Sequence, residues 1–146
     1  MGAGIAQLAL EAGHEVVLHD VDEAAIERGR TRIRDGLARR ATKLDLDADT
    51  VDDWVDGRLA GLRESASLDA LGAEAEIIIE AALEDLALKR TIFRTLDAAA
   101  PPDSILATNT SALSIAAIAE ATDRPGRVIG MQIGRASCRE RVLPTV

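Results

Sequence analysis

Over Met1–Asp20 the apolar positions change from a helical period to a continuous run. Ile5, Leu8, Ala9 and Ala12 fall on one face of a helix. Gly13 ends that helix, because glycine takes the left-handed C-terminal conformation cheaply. Glu15–His19 is short and rich in β-branched residues, which predicts a strand with Asp20 at its carboxyl end. Asp22 is placed to cap a helix reaching about Arg40, with Glu23 in the first turn and Ile26, Ile33 and Leu37 on one side.

Farther along, Thr50–Leu62 reads as another helix carrying the only tryptophan, Trp54, and Leu68–Leu71 as one more turn. Glu76–Glu80 holds Ile77, Ile78 and Ile79 in a row, a pattern that suits a strand buried on both faces. Asp85 starts a helix through Ala100, with Leu86, Ile92, Phe93 and Leu96 inward, and Pro101 and Pro102 end it. Ser104–Ala107 predicts a strand, Ser114–Ala121 a helix and Arg127–Met131 a last strand. Strands alternating with helices of this length imply an α/β fold built on a parallel, doubly wound sheet.

A helix feeding a strand that ends on Asp is the back half of a dinucleotide-binding βαβ unit. On that reading Gly2 is the third glycine of G-x-G-x-x-G. The first strand then belongs before Met1, and the Rossmann-like sheet is expected to lack it.

Composition narrows the partners. The chain has 146 residues, 47% of them hydrophobic, with aromatics almost absent and a net charge of −8. That charge argues against nucleic acid or an anionic membrane, and no apolar run approaches the roughly 20 residues of a membrane span. A single cysteine, Cys138, fits a reducing, cytoplasmic setting. The segment 133–146 departs from the pattern: IGRASCRERV has no apolar periodicity, and positions 134–146 carry three arginines against one glutamate. It resembles a translated sequencing adapter and reads as a non-native tail on a partial NAD-binding domain at 1–132.

Three strand ends carry polar groups, and in open α/β sheets ligands bind beyond the carboxyl ends of the strands. Asp20 is placed to accept both hydroxyls of an adenosine ribose and to repel a 2′-phosphate, which favours NAD over NADP. Its other reading is help in starting the next helix through Asp22. Glu80 and Glu84 with Lys89 follow the isoleucine strand; Glu84 and Lys89 need not pair, and Lys89 is placed to reach a ligand. Thr108, Asn109, Thr110 and Ser111 either cap the next helix or hold a ligand's oxygens. Arg28, Arg30, Arg32, Arg34, Arg39, Arg40 and Lys43 make either a solvated helix surface or a basic edge for a phosphorylated ligand.

The segments GAGIAQ…AGHEVVLHD, EAALEDLALKRTIF and ILATNTSALSI resemble, in order and spacing, the NAD-binding domain of the 3-hydroxyacyl-CoA dehydrogenase family, over Met1–Met131. The resemblance implies NAD as cofactor, no metal, an acyl-CoA substrate, a role in fatty-acid β-oxidation and a homodimeric parent. It also implies a helical C-terminal domain, absent here, that closes over the acyl chain. Residue by residue, it implies that Met1 and Gly2 end the glycine loop and that Asp20 binds ribose. Ala82, Leu83, Glu84, Lys89 and Asn109 lie on the cofactor. Ser111 touches both the nicotinamide end and the substrate hydroxyl, and Lys43 contacts coenzyme A. Gly36 stands where a serine contacting coenzyme A often occurs.

The family's reaction moves hydride from C3 of an L-3-hydroxyacyl-CoA to NAD, and a base must take the hydroxyl proton. In the family this base is a histidine in G-M-H-F-F-N-P. Here Gly130 and Met131 are followed by Gln132, whose amide takes no proton at neutral pH, and Arg135 replaces the asparagine. His14 lies at the wrong end of the sheet and His19 beside the adenosine. The chain is therefore expected to be inactive by itself. Two other readings remain: a hydroxyacid dehydrogenase of the 3-hydroxyisobutyrate type, against which TNTS discriminates, and a non-catalytic nucleotide-binding module.

Overall fold

The computed structural model describes residues 1–131; Gln132 and the 133–146 segment with Cys138 lie outside the described residues. The chain opens on helix α1 (Gly2–Glu11) and turns at Gly13, whose φ of +87° is one that glycine adopts without strain. Strand β1 (Val16–Leu18) follows, then the long helix α2 (Glu23–Lys43). Asp22 caps α2, its carboxylate accepting the Ala25 amide at 2.6 Å.

Helix α3 (Ala48–Leu59) leads into strand β2 (Leu62–Glu64), and α4 (Leu68–Glu74) into β3 (Ile77–Glu80). The helix expected over Thr50–Leu62 thus ends early, and Leu62 begins a strand. Only three residues long and with one apolar member, β2 carries too little pattern to be recognised; its pairing with β1 creates it. Helix α5 (Leu86–Ala99) is capped by Asp85, whose side chain accepts the Leu88 amide at 2.8 Å. Strand β4 (Ile105–Thr108), helix α6 (Ile115–Ala119) with its Ser114 cap, and strand β5 (Val128–Gly130) complete the fold.

Every ladder is parallel. β1 pairs with β2, Val16 opposite Leu62, and β4 lies between β3 and β5, with Glu80, Thr108 and Gly130 in one row. The two groups share no ladder, so the sheet is in two parts, as expected for a Rossmann-like sheet lacking its first strand. Each part has its own core. Ala6, Leu10, Ile33, Leu37 and Val55 pack one, and Ile78, Phe93, Leu96, Leu106, Ile118 and Val128 the other.

The isoleucine run is not buried on both faces as its sequence suggests. Ile78 is buried, but Ile77 is 55% exposed, because one edge of β3 has no neighbouring strand among the described residues. No helix among the described residues is long and apolar enough to cross a membrane.

Candidate functional site

Parallel pairing puts the carboxyl ends of β3, β4 and β5 side by side, so the loops after β3 and β4 leave the sheet together. Glu84 joins them. Its Oε1 accepts the Thr110 hydroxyl at 2.5 Å, the Ser111 amide at 2.9 Å and the Ala112 amide at 3.1 Å. The Thr110 hydroxyl, and after it the Ser111 amide, hold the Glu84 carboxyl near a pKa of about 2, against an ordinary 4.5. Thr110 also accepts the Leu113 amide at 3.0 Å, so of the four polar residues here it is the one that organises the turn into α6. Ser111 itself is exposed.

Beneath this loop pair lies a fully buried cation. The Lys89 ammonium donates to both oxygens of Glu80, at 2.7 and 2.9 Å, and to the Ala82 carbonyl at 3.3 Å. Lys89 is 0% exposed, so its side chain points into the protein rather than toward a ligand space. Glu84 and Lys89, which their spacing left free to act separately, do meet, at 3.5 Å. Buried Glu80 also accepts the Thr108 hydroxyl at 2.7 Å and the Ala82 amide at 2.5 Å. A charge pair of this kind is stable in a low-dielectric interior only when its remaining hydrogen-bonding capacity is met, as it is here.

The start of α1 abuts the same place. A Cβ added to Gly2 would sit 4.0 Å from the Cβ of Ala81, directly after β3. Ala82 and Leu83 are exposed at this corner, Leu83 by 78%. Asp20 stands at the carboxyl end of β1, in the other part of the sheet. It is exposed, and its Oδ1 accepts the Val21 amide at 2.7 Å, whereas the cap of α2 belongs to Asp22 alone. His19 is held by its ring, Nδ1 lying 2.8 Å from the Ser65 carbonyl. His14 sits in the turn before β1, at the opposite end of the strand.

Lys43 lies elsewhere, at the end of α2, where Gln7, Gly36, Arg39, Arg40 and Lys43 line a cleft of about 170 Å³ between α1 and α2. The Gln7 amide occupies the space that any side chain at position 36 would need. Gln7 donates to Glu11 at 2.7 Å, and Glu11 in turn faces the Arg40 guanidinium at 3.4 Å. Sequence patterning missed the Glu80–Thr108 link and the part Gln7 plays in this cleft. An acid ending an otherwise apolar strand, with a lysine nine residues on, is a signal that could have marked Glu80 as a buried, paired group.

Comparison with known proteins supplies an independent view of this arrangement. Residues 1–132 match the model of a family described as 3-hydroxyacyl-CoA dehydrogenase, NAD binding domain. A Bacillus subtilis protein named "Probable 3-hydroxybutyryl-CoA dehydrogenase" is 45% identical over 131 residues, 90% of this chain and 44% of its own length. The 3-hydroxyadipyl-CoA dehydrogenase of Escherichia coli is 40% identical over 90% of this chain and 26% of its own. The crystal structure of an E. coli 3-hydroxybutyryl-CoA dehydrogenase superposes with a TM-score of 0.83 at 37% identity, covering 95% of this chain and 28% of that one. The chain thus spans less than half the length of these relatives.

Proposed function

Because the chain belongs to the 3-hydroxyacyl-CoA dehydrogenase family through its NAD-binding domain, we propose that it supplies the NAD site of an enzyme that oxidises L-3-hydroxyacyl-CoA to 3-ketoacyl-CoA. Residues 1–132 are that domain. The parent acts in the cytoplasm, in fatty-acid β-oxidation, as a homodimer. The observation that carries this reading is the joining of Glu84 to the Thr110–Ser111 turn beside the start of α1.

The residues present suit the cofactor. Asp20 offers an exposed carboxylate to a ribose diol, and its charge disfavours a 2′-phosphate. Met1 and Gly2 open a helix of 10 residues whose first amides suit a pyrophosphate. The exposed Ala82 and Leu83 give the nicotinamide ring an apolar lip, with Asn109 and Glu84 at its border. When bound, NAD accepts hydride from the substrate carbon. Ser111 orients the substrate oxygen from the turn that Glu84 holds. The cleft of Lys43, Arg39 and Arg40 presents positive charge to the phosphates of coenzyme A, with the Gln7 amide lying where Gly36 leaves room.

Equilibrium titration of the purified chain with NADH and NADPH tests the proposal. Saturable NADH binding at least tenfold tighter than NADPH is expected. Equal affinity for the two, or none for either, overturns it.

A further inference from the structure

The ammonium of Lys89 has Glu80, Ala82 and Glu84 as neighbours, and the side chain is wholly inside the protein. It offers a ligand no face. What it does offer is continuity. Thr108, at the end of β4, donates to Glu80, at the end of β3; Glu80 binds Lys89; Lys89 stands against Glu84; and Glu84 receives the Ser111 and Ala112 amides. One polar chain therefore runs from the sheet interior to an exposed turn. Glu84 is the outermost link: its side chain is 37% exposed, with Oε1 held by the 110–112 turn and Oε2 facing Lys89. Lys89, pinned from below by Glu80, supplies a fixed positive charge that restricts it.

We infer that Glu80 and Lys89 are positioning residues that act through Glu84 to hold the turn bearing Ser111. This rests on the NAD site proposed above. A carboxylate bonded only to neutral groups would close β3 onto β4 equally well; the buried ion pair is explained by what lies above it. Apolar side chains of similar volume often replace such a pair without loss of stability. That separates the two roles: a pair that merely stabilises is replaceable, whereas one that positions Glu84 is not.

The test is the double replacement Glu80→Met with Lys89→Met in the full chain, beside each single change. The double variant is expected to melt closer to the parent than either single variant does. Its Ser111 and Ala112 amides should nevertheless exchange at least tenfold faster, and its NADH dissociation constant should rise at least tenfold. Parental exchange at both amides in the double variant overturns the inference. If the parent chain itself fails to bind NADH, the cofactor site falls, while the exchange rates still decide the positioning role. Should the double variant not fold, Thr108→Val takes its place: faster exchange at Ser111 and Ala112, with Val16–Leu18 unchanged, supports the inference, and no change there overturns it.

Discussion

The Thr110 hydroxyl donates to the Glu84 carboxylate at 2.5 Å, closing one loop upon another from 26 residues away. That bond is the main reason the Glu84 carboxyl is held at about 2. A carboxyl whose pKa is depressed on folding adds stability above its unfolded value, and loses it as pH falls through the folded one. The order of the 110–112 turn should therefore persist below pH 4.5 and fade only as pH approaches about 2. The amide resonances of Ser111 and Ala112, followed from pH 6 downward, should report a midpoint near 2. A midpoint at 4.5 would show the bond to be absent in solution.

Asp20 permits a sharper test of cofactor choice. An exposed carboxylate that accepts ribose hydroxyls, with water competing for it, contributes the worth of one charge-assisted hydrogen bond in all, about 1.5–3 kcal/mol. Asp20→Ala should accordingly weaken NADH binding on the order of tenfold to a hundredfold. NADPH affinity should hold or improve, because the repulsion of its 2′-phosphate is gone. Calorimetric titration of both nucleotides against both proteins checks this, and equal losses for the two would remove Asp20 from the ribose site.

The divided sheet has a thermodynamic consequence. β1–β2 and β3–β4–β5 share no ladder, and each rests on its own core. Cooperativity across the gap must come from side-chain packing alone, so unfolding should lose its two-state character. Trp54 reports on the α1–α2–α3 part, whereas far-ultraviolet circular dichroism reports on both. The fluorescence midpoint in urea should fall below the dichroism midpoint. Phe93→Ala, which empties a fully buried site in the other core at a cost of about 3–5 kcal/mol, should lower the dichroism midpoint and move fluorescence far less. Coincident midpoints would mean that the two parts fold as one.

Local chemistry made much of this architecture readable. Asp22, Asp85 and Ser114 announce their helices because a short oxygen-bearing side chain satisfies a first-turn amide, and each does so. Gly13 and the Pro101–Pro102 pair mark stops for equally local reasons. What stayed hidden depends on partners distant along the chain. β2 exists through pairing with β1, Ile77 is exposed for want of a neighbouring strand, and the direction of Lys89 is set by Glu80 and Thr108. At the site, the motif singled out Glu84, Thr110 and Ser111, which meet, but gave no sign that Lys89 faces inward or that Asp20 and Lys43 stand in the other part of the molecule.

The proposed oxidation needs a base that titrates near neutral pH, and among the described residues the histidines lie away from Ser111. His14 precedes β1, at the end of the strand remote from its carboxyl tip, and the His19 ring is engaged with the Ser65 carbonyl beside Asp20. Gln132, outside the described residues, contributes an amide that accepts no proton at neutral pH. Losing general base catalysis removes a factor typically on the order of 10²–10⁴, and hydride cannot leave C3 while the hydroxyl keeps its proton. The chain is thus expected to bind NADH yet not to oxidise it. Acetoacetyl-CoA added to the chain with NADH should leave the nicotinamide absorbance unchanged over hours. A steady decline proportional to protein concentration would prove that another group on this chain moves the proton.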